Sequence, residues 1–384
     1  MKLIELTEKL VGFDTVSNNS NKEMADFLSE YLESKGFKIE TYPYKDAENQ
    51  KKINLIARKG GEESKLALSG HMDTVPYKGN WEINSDPLEL TEFNGNFYGR
   101  GAVDMKHFIA LAIKAGEKIN ETGLKYPFCL CFTSEEEIGC KGARNLLKEH
   151  SAHVAENIII GEPTDLKPIR AHKGYIYAIV ELRGERGHSS NPQKEKSVFY
   201  ALEKIIAKLK VFELKLEGIS VPDFNPPYPT MNVGVITTDE VKKSGEIVKS
   251  SKNVIPGYCK LEMEIRPVPG QKPEQIFYVL KEMLKEKIGE VEVQIKLARK
   301  PTPPMETPKD SKIVRIAEEL SGCPSSTVAY NTEGGVFNKA SYQSVIWGPG
   351  SIKQAHKSNE FIEAKYFQEK IVDLYTEAIR RICG

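Results

Sequence analysis

The sequence predicts an α/β protein with a mainly parallel sheet, into which a smaller α+β domain is inserted. Three observations support this fold. Short apolar runs typical of buried strands alternate with amphipathic helical stretches over the first 170 or so residues. The middle of the chain has strands in which polar and apolar residues alternate, as in a sheet with one solvated face. A proline-rich stretch, KPTPPMETP at 300–308, then leads back to helix and strand patterns.

Length and composition suggest a two-domain protein without a charge bias. The chain has 384 residues, of which 40% are hydrophobic, 54 are basic and 54 are acidic. This balance argues against nucleic-acid and anionic-membrane partners, which favour basic proteins. Six cysteines without a CxxC pair predict reduced, mostly buried thiols in a cytoplasmic protein. The first residues suggest a helix rather than a signal peptide, and no stretch approaches the length of a transmembrane helix.

Hydrophobic periodicity predicts the elements of the first domain. Apolar residues recur at helical spacing at 3–13, 22–35, 105–119, 311–320 and 364–381. Apolar runs predict strands at 37–44, 53–58, 65–69, 127–133 and 157–161, and near residues 327 and 344. Asn94 and Gly95 predict a hairpin turn inside the loop 81–99. In an open α/β sheet of this kind, ligand sites are expected beyond the carboxyl ends of the strands.

The inserted domain is predicted to span residues 175–298. Its elements follow the order strand, helix, strand, strand, helix, strand at 175–185, 198–214, 231–237, 258–266, 273–287 and 291–297. This order is that of a ferredoxin-like α+β fold. The first domain would then consist of residues 1–174 and 299–384.

Polar side chains follow several of the predicted strands. His71 and Asp73 stand two residues apart after the strand 65–69, so they share a face and the carboxylate can orient the imidazole. Asp104 precedes a helix, where the alternative role is a helix N-cap. Three adjacent glutamates at 135–137 repel one another unless cations or solvent neutralise them, and an exposed acidic loop is the alternative.

Five side chains on separate loops suit a pair of divalent metal ions: His71, Asp104, Glu137, Glu162 and His356. Two imidazoles and three carboxylates are ligands for first-row ions, zinc above all, although cobalt and manganese fit them too. Three carboxylates, two divalent ions and one bridging hydroxide sum to zero charge, with Asp104 as the candidate bridging carboxylate. Paired ions of this kind are a recurring hydrolytic device. The sequence therefore predicts a di-metal hydrolase.

Five segments, in this order, resemble the metal-dependent aminoacylase and carboxypeptidase family: SGHMDTVP (69–76), YGRGAVDMK (98–106), TSEEEIG (133–139), GEPT (161–164) and QAHKSNEF (354–361). Within this family, residues 168–176, 186–192, 228–236, 262–270 and 347–356 resemble the acetylornithine deacetylase branch. The resemblance implies removal of acetyl from N2-acetyl-L-ornithine in arginine biosynthesis. Succinyl-diaminopimelate desuccinylase, another N-acyl amino acid deacylase or a dipeptidase are the alternatives within the class, and a non-catalytic scaffold is the alternative outside it.

The resemblance also implies roles for the candidate metal-site residues. One ion would be held by His71, Asp104 and Glu162, and the second by Asp104, Glu137 and His356. Glu136 would be the general base and Asp73 the partner of His71. The family motif has aspartate where this chain has Glu135, so a second register, with Glu135 as base and Glu136 as ligand, stays open.

Further residues are expected to contact the substrate. By the resemblance, His188 would donate a hydrogen bond to the oxyanion across a homodimer formed through the inserted lid domain, and Asn253 would lie near the substrate. Arg266 suits a substrate carboxylate, because guanidinium binds carboxylate in a bidentate manner, and a strand-face salt bridge is its alternative. Glu333 is predicted to bind a substrate ammonium, or else to serve in a turn or helix cap. Gly348 and Gly350 would let the backbone approach the ligand closely.

Overall fold

The computed structural model describes residues 1–77, 79–83, 86–120, 123–238, 240–241, 247–248 and 251–384. The predicted loop at 81–99 therefore includes two positions, 84 and 85, that lie outside the described residues. The chain divides into two compact units. Unit 1 comprises Met1–Ala171, Met305–Thr327 and Thr332–Gly384, and unit 2 comprises His172–Pro304 and Val328–Asn331. The assignment of catalytic and lid roles to domains bounded at 174 and 298 stays a prediction.

The helices of the described residues are α1 Leu3–Val11, α2 Lys22–Glu33, α3 His107–Glu117, α4 Lys141–Lys148, α5 Val198–Glu217, α6 Pro273–Leu284, α7 Lys312–Ser321, α8 Gly334–Lys339 and α9 Glu369–Cys383. Among them, none combines the length and the apolar character that crossing a membrane requires.

The strands are β1 Lys38–Lys45, β2 Lys51–Lys59, β3 Leu66–His71, β4 Thr91–Phe93, β5 Asn96–Tyr98, β6 Phe128–Thr133, β7 Asn157–Pro163, β8 Ile169–His172, β9 Ile176–Arg183, β10 Gly187–His188, β11 Thr230–Thr237, β12 Glu240–Val241, β13 Ile247–Val248, β14 Val254–Ile255, β15 Tyr258–Arg266, β16 Glu292–Leu297, β17 Met305–Glu306, β18 Ser326–Val328, β19 Gln343–Gly348 and β20 Phe361–Glu363. The predicted hairpin turn at Asn94 and Gly95 joins β4 to β5.

A nine-stranded mixed sheet forms the centre of unit 1. Its order is β1-β2-β6-β3-β7-β19-β8-β17, with β18 paired to β8. The pairs β6–β3, β3–β7 and β7–β19 are parallel, whereas β1–β2, β2–β6 and β19–β8 are antiparallel. The predicted α/β fold is therefore confirmed, with its parallel strands at the middle of the sheet and antiparallel strands on either side.

The apolar sequence of the central strands explains why they are buried. All six residues of β3 (LALSGH) and all six of β6 (FCLCFT) are buried, as expected for parallel strands covered on both faces. Helices α1, α2, α3, α7 and α9 contribute to the same apolar core. Cys129 and Cys131 are buried on β6, and all six cysteines of the chain are free thiols. The prediction of reduced, mostly buried cysteines is confirmed.

Unit 2 contains a four-stranded antiparallel sheet in the order β11-β15-β9-β16. The elements β9, α5, β11, β15, α6 and β16 follow one another in the ferredoxin-like order that the sequence predicts. Burial alternates residue by residue along β15, because one face of the sheet packs against apolar residues of α5 and α6.

Candidate metal centre

The parallel strands of unit 1 bring the predicted ligands to one edge of the sheet. His71 is the last residue of β3, and the segment Ser134–Glu137 follows directly after β6. Glu162 lies near the carboxyl end of β7, and His356 lies in the loop after β19. Because parallel strands point the same way, their carboxyl ends meet at the same edge. Asp104 reaches this edge from the turn that precedes α3.

Asp104 lies between the two histidines. Its Oδ1 is 3.0 Å from His71 Nε2, and its Oδ2 is 3.2 Å from His356 Nε2. Glu162 Oε1 is 3.8 Å from His71 Nε2, and Glu137 Oε1 is 3.0 Å from His356 Nε2. Each predicted set of three ligands is thus gathered around a shared aspartate whose two oxygens face different imidazoles.

Glu136 belongs to the same cluster. Ligand atoms of His71, Glu136 and Glu162 lie within 4.8 Å of one another, as do those of His71, Asp104 and Glu137. All of these side chains except that of His356 are largely buried. Nitrogen and carboxylate oxygen atoms packed this closely form a donor set that suits divalent first-row ions.

Asp73 holds the cluster together through both its main chain and its side chain. The backbone carbonyl of Asp73 lies 2.8 Å from His71 Nδ1, whereas its carboxylate is 3.6 Å from that nitrogen. The carboxylate instead accepts hydrogen bonds from the backbone N–H groups of Glu136 (3.0 Å) and Glu137 (3.3 Å) and from the Ser17 hydroxyl (2.7 Å). The predicted orientation of His71 is therefore made by the Asp73 main chain, because its carboxylate binds the glutamate loop.

The acids of the cluster are buried close together. Burial raises the pKa of Glu136 to about 8, and the charges of neighbouring carboxylates add to this shift. Burial and the charge of Asp104 likewise raise the pKa of Glu137, and raise that of Glu162 well above its usual range. Hydrogen bonds to Asp104 and Glu137 raise the pKa of His356 to about 11. The site therefore has an excess of negative charge that favours bound cations.

The carboxylate of Glu135 is directed away from the predicted ligands. It accepts hydrogen bonds from Tyr44 Oη (2.6 Å) and Lys141 Nζ (3.0 Å). Glu135 has a left-handed backbone (φ 53°), which separates its direction from that of the two following glutamates.

Three of the predicted substrate residues lie in unit 2. His188 in β10 and Asn253 just before β14 are neighbours, because β10 and β14 pair and Ser189 N–H donates to Asn253 O at 3.1 Å. Arg266, at the end of β15, forms a salt bridge with Glu264 (3.1 Å) and donates to Asn331 Oδ1 (2.8 Å). The salt-bridge alternative for Arg266 is thus present, and the substrate roles of these residues stay predictions.

Glu333, Gly348 and Gly350 lie in unit 1. Glu333 is buried just before α8, and its carboxylate accepts hydrogen bonds from Ser69 Oγ (2.8 Å) and Thr133 Oγ1 (2.7 Å). A side chain at Gly348 would meet the backbone of β7, and one at Gly350 (φ 79°) would meet a methyl group of Val103. The close contacts of both glycines are with the chain itself, so their predicted contact with a ligand, like that of Glu333, stays a prediction.

Sequence reasoning missed two polar groups near predicted site residues. Cys140, buried at the start of α4, donates its thiol to Glu136 Oε1 at 3.3 Å. Lys173 in unit 2 is fully buried, and burial followed by the charge of Arg266 lowers its pKa to about 8. The first contact has no signal in the sequence, whereas Lys173 stands in the segment 168–176 that carried the family resemblance.

Comparison with known proteins agrees with this fold. The sequence pattern of peptidase family M20/M25/M40 matches residues 67–381. The acetylornithine deacetylase of Myxococcus xanthus is 36% identical over 386 residues, covering 99% of this chain and 97% of the relative, and that of Proteus mirabilis is 35% identical over 394 residues, covering 99% and 96%. The crystal structure of the M20 metallo-carboxypeptidase Sso-CP2 of Sulfolobus solfataricus covers 100% of this chain and 99% of its own, with a TM-score of 0.77 at 20% identity. The chain therefore belongs to peptidase family M20/M25/M40.

Proposed function

We propose that this protein is a di-metal amidohydrolase that removes the acetyl group from N2-acetyl-L-ornithine, giving ornithine and acetate in the cytoplasmic biosynthesis of arginine. The observation that carries this proposal is the shared Asp104, with one imidazole at each carboxylate oxygen and a glutamate beside each imidazole. The acetylornithine deacetylases that are similar over nearly the whole chain support the choice of substrate.

The donor set fits two ions. We infer that His71, Asp104 and Glu162 would hold the first and that Asp104, Glu137 and His356 would hold the second, with zinc favoured by these donors and cobalt or manganese as alternatives. When bound, such a pair supplies a water of lowered pKa and polarises the scissile carbonyl. The close-packed acids of the site support two ions rather than one, because a single divalent ion neutralises only two of the three carboxylate charges.

Glu136 is the proton carrier in this proposal. Its carboxylate takes a proton from the attacking water and returns it to the leaving amine, a role that suits a carboxylate whose oxygen lies within 4.8 Å of ligand atoms of His71 and Glu162. The hydrogen bonds of Glu135 to Tyr44 and Lys141 support the register with Glu136 as base and Glu137 as ligand.

Unit 2 is proposed to supply substrate contacts and to form a homodimer. Arg266 would bind the α-carboxylate, while Asn253 and a partner's copy of the β10 histidine, His188, would contact the reacting amide. Apolar side chains support association through this unit: Leu214 on α5 is 60% exposed, and Val235 and Ile236 on the sheet-edge strand β11 are 47% and 51% exposed.

A side-by-side assay tests the proposal. The purified, metal-loaded protein is given equal concentrations of N2-acetyl-ornithine, N-succinyl-diaminopimelate and a dipeptide, and amide loss is followed. We expect strong preference for the acetyl substrate. Preference for the succinyl substrate or the dipeptide would keep the mechanism and overturn the substrate assignment, whereas no turnover of any amide by a protein with two bound ions would favour a scaffold.

The same assay applied to two variants tests the mechanism. Glu136→Gln keeps the shape of the side chain but cannot take a proton, so we expect turnover to fall by about 10²- to 10⁴-fold while metal content is unchanged. Glu135→Gln is the matched control and should retain most of the turnover. A loss of turnover in Glu135→Gln but not in Glu136→Gln would assign the base to Glu135. Full activity in both variants would mean that neither glutamate is the base.

A further inference from the structure

A buried ion pair lies behind two of the proposed ligands. Arg100 Nη1 donates to Glu360 Oε2 at 2.6 Å, and each residue is only 1% exposed. Burying two charges is costly unless both are paired and hydrogen-bonded, so such a pair needs a structural or functional reason. Neither residue belongs to the proposed ligand set.

The other oxygen of Glu360 binds the turn that carries Asp104. Glu360 Oε1 accepts hydrogen bonds from the backbone N–H groups of Val103 (3.0 Å) and Asp104 (3.2 Å). Consecutive N–H groups that converge on one anion fix the backbone between them. Asp104 (φ −127°, ψ 90°) and Met105 (φ −138°, ψ 36°) both depart from the helical values of the residues around them.

The same ion pair joins the loops of three proposed ligands. Glu360 stands four residues after His356, and its own carbonyl accepts a hydrogen bond from Gly99 N–H at 3.0 Å. Arg100 Nη2 donates to the carbonyl of Pro76 at 3.3 Å, five residues after His71. A single buried pair therefore connects the His71, Asp104 and His356 loops.

We propose that Glu360, paired with Arg100, is a positioning residue that sets the separation of Asp104 from His356 and is required for tight binding of the second divalent ion. This inference rests on the proposed ligand set. One residue, Glu360, links Asp104 to His356. Its carboxylate binds the turn that carries Asp104, and the residue itself lies in the His356 loop. His71 and Glu162, by contrast, lie on the neighbouring strands β3 and β7, so the first ion depends less on the pair.

The test is zinc binding without substrate. Zinc affinities of the wild type, Glu360→Ala and Glu360→Gln are measured by equilibrium competition with a chromophoric chelator, and circular dichroism checks that each variant is folded. We expect Glu360→Ala to weaken one of two zinc sites by about 10- to 100-fold, the usual effect of losing a partner behind the ligands, and to weaken the other less. Glu360→Gln keeps an oxygen for the N–H groups but turns an amide donor toward Arg100, so its effect should be intermediate.

Glu40→Ala is the matched control. It breaks another partly buried ion pair of unit 1, with Arg58 Nε at 2.7 Å, on the sheet-edge strand β1. This variant should lose stability yet bind zinc as the wild type does. Wild-type zinc affinities in folded Glu360→Ala overturn the inference. If that variant does not fold, wild-type affinities in Glu360→Gln overturn it instead, as does a wild-type protein that binds fewer than two zinc ions.

The outcome is separable from the proposed function. A protein that binds zinc as expected in every variant but cleaves none of the amides keeps the role of Glu360 and removes the deacetylase assignment. A protein that deacetylates N2-acetyl-ornithine, but whose folded Glu360→Ala variant binds zinc normally, keeps the deacetylase assignment and removes the role of Glu360.

Discussion

The two units of the protein differ in the groups that need a binding partner: buried ionisable groups in unit 1 and exposed apolar side chains in unit 2. Unit 1 buries a cluster of ionisable groups at one edge of its sheet, including His71, Asp104 and Glu162. Unit 2 buries an ordinary apolar core but exposes large apolar residues, including Leu214 on α5 and Tyr278 on α6. Buried charge and exposed apolar surface both cost free energy unless something compensates them. We infer that unit 1 is completed by ions and unit 2 by a second protein chain.

Metal removal should have the most different effects on the two units: it should lower the melting temperature of unit 1 and leave that of unit 2 unchanged. Each ion that binds only the folded state stabilises it by about 4 kcal/mol when present at 1,000 times its Kd, so removing both by chelation should lower the melting temperature of unit 1 by roughly 20 °C. Both tryptophans, Trp81 and Trp347, lie in unit 1, so tryptophan fluorescence reports its unfolding alone.

Unit 2 is the internal control for this experiment. Its melting, followed by calorimetry, should not change on chelation, because the proposed ligands all lie in unit 1. An unchanged fluorescence transition after verified metal loss would count against the metal centre. Equal shifts in both units would mean that they unfold together and would remove the contrast between them.

A charge introduced into the exposed apolar surface of unit 2 should weaken its association with a second chain. We expect Leu214→Lys to weaken a homodimer at least about tenfold, because it removes a large apolar side chain that the interface would bury. Sedimentation velocity measures the change. Phe93→Lys, at a position in unit 1 that is 49% exposed, is the matched control and should leave the dimer intact. Equal effects of the two substitutions, or a monomeric wild type, would contradict dimerisation through unit 2.

A further expected effect concerns a buried histidine of unit 1 outside the metal cluster. His107 Nε2 lies 3.2 Å from the Tyr366 carbonyl and Nδ1 lies 3.1 Å from the Thr7 hydroxyl, while burial lowers its pKa from 6.5 to about 3. Below pH 6.5 the unfolded chain takes up a proton here that the folded protein does not. The free energy of unfolding therefore decreases as the pH is lowered from 6.5 to 3, by about 1.4 kcal/mol per pH unit.

His107→Gln keeps a donor and an acceptor but does not titrate. Its free energy of unfolding should fall less than that of the wild type between pH 6.5 and about pH 5, by about 2 kcal/mol. Urea unfolding at each pH gives the comparison, and contributions from other groups cancel in the difference. His150→Gln, at an exposed position, should follow the wild type. Parallel curves for the wild type and His107→Gln would show that His107 does not contribute to acid sensitivity.

Local patterns predicted the longer elements of both units, but not the two-residue strands β10, β12, β13 and β14 of unit 2. The six elements of its ferredoxin-like fold were predicted to within three residues at each end. In unit 1 the long helices and buried strands were also predicted, but α4, α8, β8, β17 and β20 were not. These elements have eight residues or fewer, too short for a period to emerge, and contacts with distant parts of the chain stabilise them.

The sequence alone predicted which side chains can carry the chemistry. Strand-ending histidine and acidic residues, together with the ordered family segments, were sufficient to name His71, Asp104, Glu137, Glu162 and His356. Only the tertiary structure decided their distances and partners. Hydrophobic period does not encode the order of strands in a sheet, and that order brings His71 and His356, 285 positions apart, to the same aspartate. For the same reason, only the tertiary structure shows that Asp73 binds the glutamate loop and that Glu360 binds the Asp104 turn.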